Sequence, residues 1–182
     1  GREGGGTGFG SQTAGVAVAG NPSPGPDSAC EHYNGTSWSN VEAFPSAGGQ
    51  GGTTGSQTAG IAMGLNTPNR ALCYTYNGVD WSEVAELNTG RGTGVGLGTQ
   101  TDALLVGGGP APGGTYIANV EKFDGSSWSE VGDLNDSRRQ GSGGGGTAAG
   151  FYVAGTGGSP TTNPTQMETW NGTSWTEANE LN

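Results

Sequence analysis

The stretch FDGSSW at 123–128 places an Asp-Gly pair between two aromatic residues. Three other stretches follow the same plan: YNGTSW (33–38), YNGVDW (76–81) and WNGTSW (170–175). Their tryptophans are 43, 47 and 47 residues apart. A second set of related stretches lies upstream: GSQTAGVAVAG (10–20), GSQTAGIAMGL (55–65), GTQTDALLVGG (98–108) and GGTAAGFYVAG (145–155). The chain is therefore built from four repeats of about 45 residues, a period typical of propellers and of helical repeats. Helical repeats are excluded, because glycine is scattered throughout and no window has a 3.6-residue apolar period.

Each repeat predicts four short strands. In the third repeat they are A (91–98), B (103–107), C (119–123) and D (127–134). The Asn-Gly or Asp-Gly pair between strands C and D predicts a primed hairpin turn, in which both central residues have positive φ. The structural glycines of these turns are Gly35, Gly78, Gly125 and Gly172. The sequence therefore predicts an all-β protein, a single β-propeller domain or segment of four-stranded antiparallel blades at about 1–44, 45–87, 88–134 and 135–182.

All four repeats resemble the kelch family of β-propellers. The resemblance rests on the glycines that end strand B (Gly107 and Gly108 most clearly), on the aromatic residue of strand C, and on the tryptophan of strand D. It also includes Arg2, Arg91 and Arg138. Two features depart from the kelch pattern: the glycine pair is complete only in the third repeat, and the aromatic residue and tryptophan are only five residues apart. The closest likeness is to the glycine-rich repeats of phage tail and bacterial surface proteins, which implies an extracellular or virion-associated protein.

Glycine alternates along the predicted first strand of the third repeat. In GRGTGVGLGTQT (90–101) it occupies every second position from 90 to 98. Successive strand residues point to opposite faces, so one whole face has no side chains. In a propeller, strand A lines the central axis, where blades converge. We therefore expect these glycines to permit a close approach of neighbouring strands or of a neighbour's aromatic side chains.

The repeated tryptophans are predicted to form the core between blades. Trp38, Trp81, Trp128 and Trp175 occupy equivalent positions, and each can bury roughly 150–250 Å². A ladder of sugar-stacking aromatic side chains is the alternative. Identical placement in every repeat favours the core.

Composition excludes several classes of partner. The 182 residues carry a net charge of −10 with six Lys and Arg, which argues against nucleic acid and anionic lipid. No apolar run is long enough to span a membrane. The single histidine, His32, is expected at the surface and excludes a His-based metal triad. Cys30 and Cys73 occupy equivalent core positions and are expected to be buried free thiols. We expect no catalytic residues, no metal and no cofactor.

The predicted B-to-C loops (21–29, 65–71, 109–118 and 158–166) vary in length and content while the strands repeat. Propeller topology places them on one rim with the D-to-A loops, which is where such proteins bind ligands. The candidate rim residues are Asp27, Asn69, Arg70, Arg91, Tyr116, Arg138, Arg139 and Asn163. We expect a non-enzymatic propeller that binds a glycan or a protein there. The alternative is a purely structural repeat that contacts copies of itself or other subunits of a fibre, capsid or surface array.

Two further questions remain open from the residues alone. Because 1–182 holds a whole number of repeats, the four blades could close on themselves, two chains could form a larger ring, or the chain could belong to a longer array. Asn34, Asn135 and Asn171 match the glycosylation pattern. The turn role already explains two of these three asparagines.

Overall fold

The computed structural model describes residues 6–20, 27–49, 51–65, 70–109, 115–157 and 165–181. Every regular element in these ranges is a strand. The strands are β1 (Thr7–Ser11), β2 (Ala14–Gly20), β3 (Asp27–Tyr33), β4 (Trp38–Val41), β5 (Gly52–Ser56), β6 (Ala59–Met63), β7 (Cys73–Tyr76), β8 (Trp81–Val84), β9 (Val95–Gly98), β10 (Ala103–Val106), β11 (Val120–Phe123), β12 (Trp128–Glu130), β13 (Arg138–Arg139), β14 (Ser142–Gly145), β15 (Gly150–Val153), β16 (Thr156–Gly157), β17 (Met167–Trp170) and β18 (Trp175–Ala178).

Four four-stranded antiparallel sheets follow one another along the chain. Sheet I has the order β1-β2-β3-β4, sheet II β5-β6-β7-β8, sheet III β9-β10-β11-β12, and sheet IV β14-β15-β17-β18. A fifth, two-stranded sheet pairs β13 with β16 beside sheet IV. The described chain is therefore all-β, and its series of four-stranded antiparallel sheets is consistent with a β-propeller-like fold.

The first strands of the four sheets pack against one another in chain order, β1 on β5, β5 on β9 and β9 on β14. We call the contact between these first strands the seam, and glycine is needed there. A Cβ added to Gly96 would lie 2.7 Å from the carbonyl oxygen of Thr53, and one added to Gly52 would lie 2.9 Å from the backbone nitrogen of Gly96. The expectation that these glycines permit a close approach of neighbouring strands is therefore confirmed at the β5–β9 contact.

Three apolar clusters fill the spaces between successive sheets. Trp128 and Trp175 are buried in them, with 7% and 5% of their surface exposed, and Trp81 packs half-buried against the first cluster. The core prediction is wrong for Trp38, which is 52% exposed. Each of the other three tryptophans is covered by the sheet before its own, and no described sheet precedes sheet I.

The C-to-D turns keep their glycines but not the predicted primed type. Gly35, Gly78, Gly125 and Gly172 have φ of 92°, 97°, 95° and 93°. The residue before each glycine does not have positive φ. In sheet I, Oδ1 of Asn34 instead accepts the amides of Thr36 and Ser37, each at 2.9 Å. This side-chain capping, an Asx-turn, replaces the second left-handed residue of a primed turn.

Candidate functional site

Arg91 was expected on the rim, and the structure contradicts this, because its side chain is fully buried. Its guanidinium pairs with the carboxylate of Glu121 on β11. It also donates to the carbonyls of Gly107 (3.0 Å), Leu105 (3.0 Å) and Thr89 (2.8 Å). A buried charge is tolerated only when it is paired and hydrogen-bonded, and here both conditions hold. Arg91 therefore anchors the segment that enters sheet III and is not available to a ligand.

Arg138 repeats this arrangement in sheet IV, so its predicted rim role is also wrong. It is fully buried, pairs with Glu168 on β17, and lies 4.9 Å from the centre of the Tyr152 ring. Glu168 also accepts two bonds from Asn135, from its backbone amide at 2.8 Å and its side-chain amide at 2.7 Å. Asn135, one of the three glycosylation-type asparagines, is thus hydrogen-bonded to a buried carboxylate although the residue itself is exposed.

Sheet II lacks both members of the buried ion pair. Gly48 stands at the position of the arginine and Tyr74 at the position of the glutamate. Phe44 fills the space instead, with ring centroids 5.1 Å from Tyr74 and 4.8 Å from Trp81. The spacing of the two residues in the sequence indicates this pairing, although the prediction of a rim role did not use it. Arginine and glutamate are 30 residues apart in both the third and fourth repeats and are absent together from the second.

Among the described residues, Arg139 and Tyr116 are the two predicted rim residues whose side chains contact each other. The guanidinium of Arg139 lies 4.4 Å from the centre of the Tyr116 ring, and its Nη2 donates to the Tyr116 hydroxyl at 3.2 Å. Both side chains are half-buried, and Nε of Arg139 is buried without a hydrogen-bond partner. Arginine stacked on an aromatic ring is held in one orientation with donors left over, which suits recognition of a planar acceptor.

The remaining predicted rim residues are less well defined. Arg70 is half-buried just before β7, and its carbonyl accepts the Arg91 amide at 3.1 Å. Asp27 begins β3, but its side chain is outside the described part of the structure. Asn69 and Asn163 lie outside the described residues.

An open cavity of about 380 Å³ lies where the first strands of the four sheets meet, and it is lined by residues of β1, β5, β9 and β14 and of the segments just before them. Thr7 and Thr53 join across it through their hydroxyls at 2.7 Å. A neighbouring opening is lined by Thr93 and Gln140, which have positive φ of 60° and 57°. These left-handed residues occupy equivalent positions in sheets III and IV, and Gln140 directly follows Arg139. Arg139 is therefore adjacent in sequence to a residue that lines this opening.

His32 is half-buried, so the expectation of a surface histidine is not met. Its Nε2 lies 2.9 Å from the hydroxyl of Tyr76 in the next sheet, and burial lowers its pKa. Cys30 and Cys73 are buried free thiols, as expected, and burial raises the pKa of Cys73 to about 12. Within the described ranges, no three His, Cys, Asp or Glu residues are grouped so that they could hold a metal ion.

Neither a protein-family profile nor any curated protein matches this sequence. Solved structures do match. The structure of YjhT superposes with a TM-score of 0.76 at 13% identity, over 97% of this chain and 65% of that one. At this identity the likeness is one of fold, and the chain spans 65% of the length of YjhT. Among the described residues there is no helix of the length and hydrophobicity needed to cross a membrane.

Proposed function

We propose that the four sheets are blades of a kelch-like β-propeller and that the protein is a non-enzymatic binding module. Its ligand is a glycan or a protein. The observation that carries the proposal is the preassembled Arg139–Tyr116 pair, whose arginine directly precedes Gln140 of the opening lined by Thr93 and Gln140. The resemblance to glycine-rich repeats of phage tail and bacterial surface proteins adds an extracellular or virion-associated setting.

The chemistry of the pair favours a ligand with a carboxylate or another planar acceptor. Arg139 is held by stacking and by one hydrogen bond, so little side-chain entropy is lost when it binds. A carboxylate that meets this guanidinium would form a charge-assisted hydrogen bond. The surrounding chain is acidic, so the arginine provides a local positive site on a protein of net charge −10.

The test is a binding screen of the labelled protein against neutral and carboxylate-bearing oligosaccharides, followed by titration of each hit. Arg139→Ala is expected to weaken binding at least about tenfold, the cost of one charge-assisted contact. Arg139→Lys keeps the charge but loses the stacked geometry, so it should recover only part of the affinity. Lys122→Ala is the matched control, because it removes a positive charge that pairs with Asp102 on the surface of sheet III.

Equal binding by Arg139→Ala and the unmodified protein would show that this rim is not the site. If no oligosaccharide binds, the same variants are tested for attachment to intact cells of candidate hosts.

A purely structural role is the second candidate, and one observation favours it. Trp38 is exposed on sheet I although its equivalents form the core between sheets. An exposed aromatic side chain at a core position is typical of a surface that meets a further subunit. Loss of assembly without loss of attachment, in variants of that surface, would favour this role over ligand binding at the rim.

A further inference from the structure

Sheet I has an uncovered face whose residues are covered in every other sheet. Tyr33 and Trp38 pair on it with ring centroids 5.0 Å apart and an interplanar angle of 36°. The covered pairs of sheets II, III and IV have separations of 4.7, 5.0 and 5.3 Å and angles of 32°, 32° and 37°. The uncovered pair, in which Trp38 is exposed and Tyr33 half-buried, thus already has the geometry of the covered ones. We call the side of sheet I that carries Tyr33, Trp38 and Gln12 the leading face.

A glutamine in the first turn of the sheet completes the pattern. In sheet II, the side-chain amide of Gln57 donates to the carbonyls of Gly15 (3.0 Å) and Tyr33 (2.9 Å) of the preceding sheet. In sheet III, Gln100 donates in the same way to Gly60 (3.2 Å) and Tyr76 (2.7 Å). Gln12 is the equivalent residue of sheet I, and it is exposed. The leading face therefore has both the aromatic pair and the glutamine that elsewhere donates two hydrogen bonds to the preceding sheet.

Sheet IV has the complementary surface on its far side, which we call the trailing face and which carries Phe151, Val153 and Met167. The equivalent positions of sheets I, II and III hold Val16, Val18 and Cys30; Ile61, Met63 and Cys73; and Leu104, Val106 and Val120, all of which belong to the clusters between sheets. Phe151 is 38% exposed, and no described sheet follows sheet IV.

Sheet IV also has the backbone carbonyls to which a glutamine of a following sheet could donate. Gly150 pairs with Trp170 in the register in which Gly15 pairs with Tyr33 and Gly60 with Tyr76. Gly150 and Trp170 therefore place their carbonyls where Gln12 of another sheet would need them. The Phe151 ring lies over Gly144, at 3.1 Å from the position of an added Cβ. Phe9 occupies the strand position equivalent to Gly144, and its ring packs against Gly60 of the next sheet. The Phe151 ring would fill the same space against Gly15.

We propose that the leading face of one chain docks on the trailing face of a second copy. The aromatic pair has a counterpart in all three sheet-to-sheet contacts within the chain, the glutamine in two and the Phe ring against a glycine in one. The second copy would therefore continue the series of sheets. Because the two faces differ, the interface is heterologous, and it produces a closed ring when the rotation closes and an open chain of copies when it does not. The contact does not use Arg139 or Tyr116 and is independent of ligand binding at the rim.

The experiment measures the mass of the 182-residue chain in solution by light scattering, from low micromolar to near-millimolar concentration. The unmodified protein is expected to rise from 18.0 kDa to at least twice that mass. Trp38→Glu and Phe151→Glu should each remain at 18.0 kDa, because a charge would be buried without a partner. Val79→Glu is the matched control. It changes a 67% exposed side chain on a turn of sheet II and should associate like the unmodified protein.

Mixing the two variants tests the head-to-tail direction. Trp38→Glu keeps an intact trailing face and Phe151→Glu keeps an intact leading face, so an equimolar mixture should form a dimer and nothing larger. Arg139→Ala should associate normally, which separates this proposal from that for the rim. An unmodified protein that stays monomeric at every concentration would overturn the proposal. The leading face would then be covered by a further repeat of a longer chain or by a sugar. Association of Trp38→Glu at the unmodified level, or a mixture that stays monomeric, would also overturn it. Unchanged circular dichroism verifies that each variant is folded.

Discussion

Glu121→Gln should destabilise the protein strongly although it changes the side chain by one group. The substitution removes the carboxylate that, among the described residues, pairs with the fully buried Arg91. It also places an amide NH₂ among donors, because the two Glu121 oxygens accept from the Asn88 amide (2.8 Å), the Asn88 side chain (3.0 Å) and the Thr89 amide (3.1 Å). Leaving a buried charge without its partner costs about 3–5 kcal/mol.

For a chain of this size, that loss corresponds to a fall in melting temperature of roughly 6–20 °C. Tryptophan fluorescence, recorded during thermal and urea unfolding, measures the fall in melting temperature and in the free energy of unfolding. The protein concentration must be low enough to prevent association. Glu177→Gln is the control, since Glu177 is exposed on the outermost strand of sheet IV, and it should change stability by less than about 0.5 kcal/mol.

The pairing itself is tested by the cycle Arg91→Met, Glu121→Gln and the double variant. The double variant leaves no unpaired charge, so its loss should be smaller than the sum of the two single losses. Two results would refute the account of Arg91 as a buried anchor. One is a Glu121→Gln variant as stable as the Glu177→Gln control, and the other is a double variant whose loss of stability equals the sum of the two single losses.

Three further predictions concern the seam and the contacts between sheets. Gly96→Ala should cost about 1–3 kcal/mol in urea unfolding because its Cβ would meet backbone, whereas Gly146→Ala, whose nearest neighbour is at 4.0 Å, should cost under about 0.5 kcal/mol. Thiol labelling at pH 8 should be negligible in the folded protein and complete in urea, because burial raises the pKa of Cys73 to about 12 and keeps both cysteines from solvent. Burial lowers the pKa of His32 in the folded state, so the unfolded chain binds the proton more readily and stability should fall as pH drops through 6.5 and below. His32→Gln should reduce that fall, and an unchanged pH profile would contradict it.

The regular part of the fold was predictable because its signals are local and repeat in register. Alternating residues, the Asn-Gly or Asp-Gly pairs, and one aromatic residue on each side of them predict four antiparallel strands per repeat. The turn type was predicted wrongly, because an asparagine or aspartate side chain that accepts two amides stabilises the hairpin without a second left-handed residue. The candidate site was predicted less well. Among the described candidates, Arg139 and Tyr116 contact each other through their side chains and Arg70 and Arg91 only through the backbone, since charge and loop position do not reveal whether a side chain points inward.

The sequence by itself determined the number of repeats and the all-β class, because each of these depends on a pattern within or between repeats. Only the tertiary structure decided whether Arg91 and Trp38 are buried. Arg91 is buried because it pairs with a carboxylate 30 residues away, and the pair is shielded from water. Trp38 has the same neighbours in sequence as its equivalents but no described sheet in front of it, so it remains exposed. Burial is a property of what packs against a residue, and equivalent residues of a repeat differ in it wherever their neighbours differ.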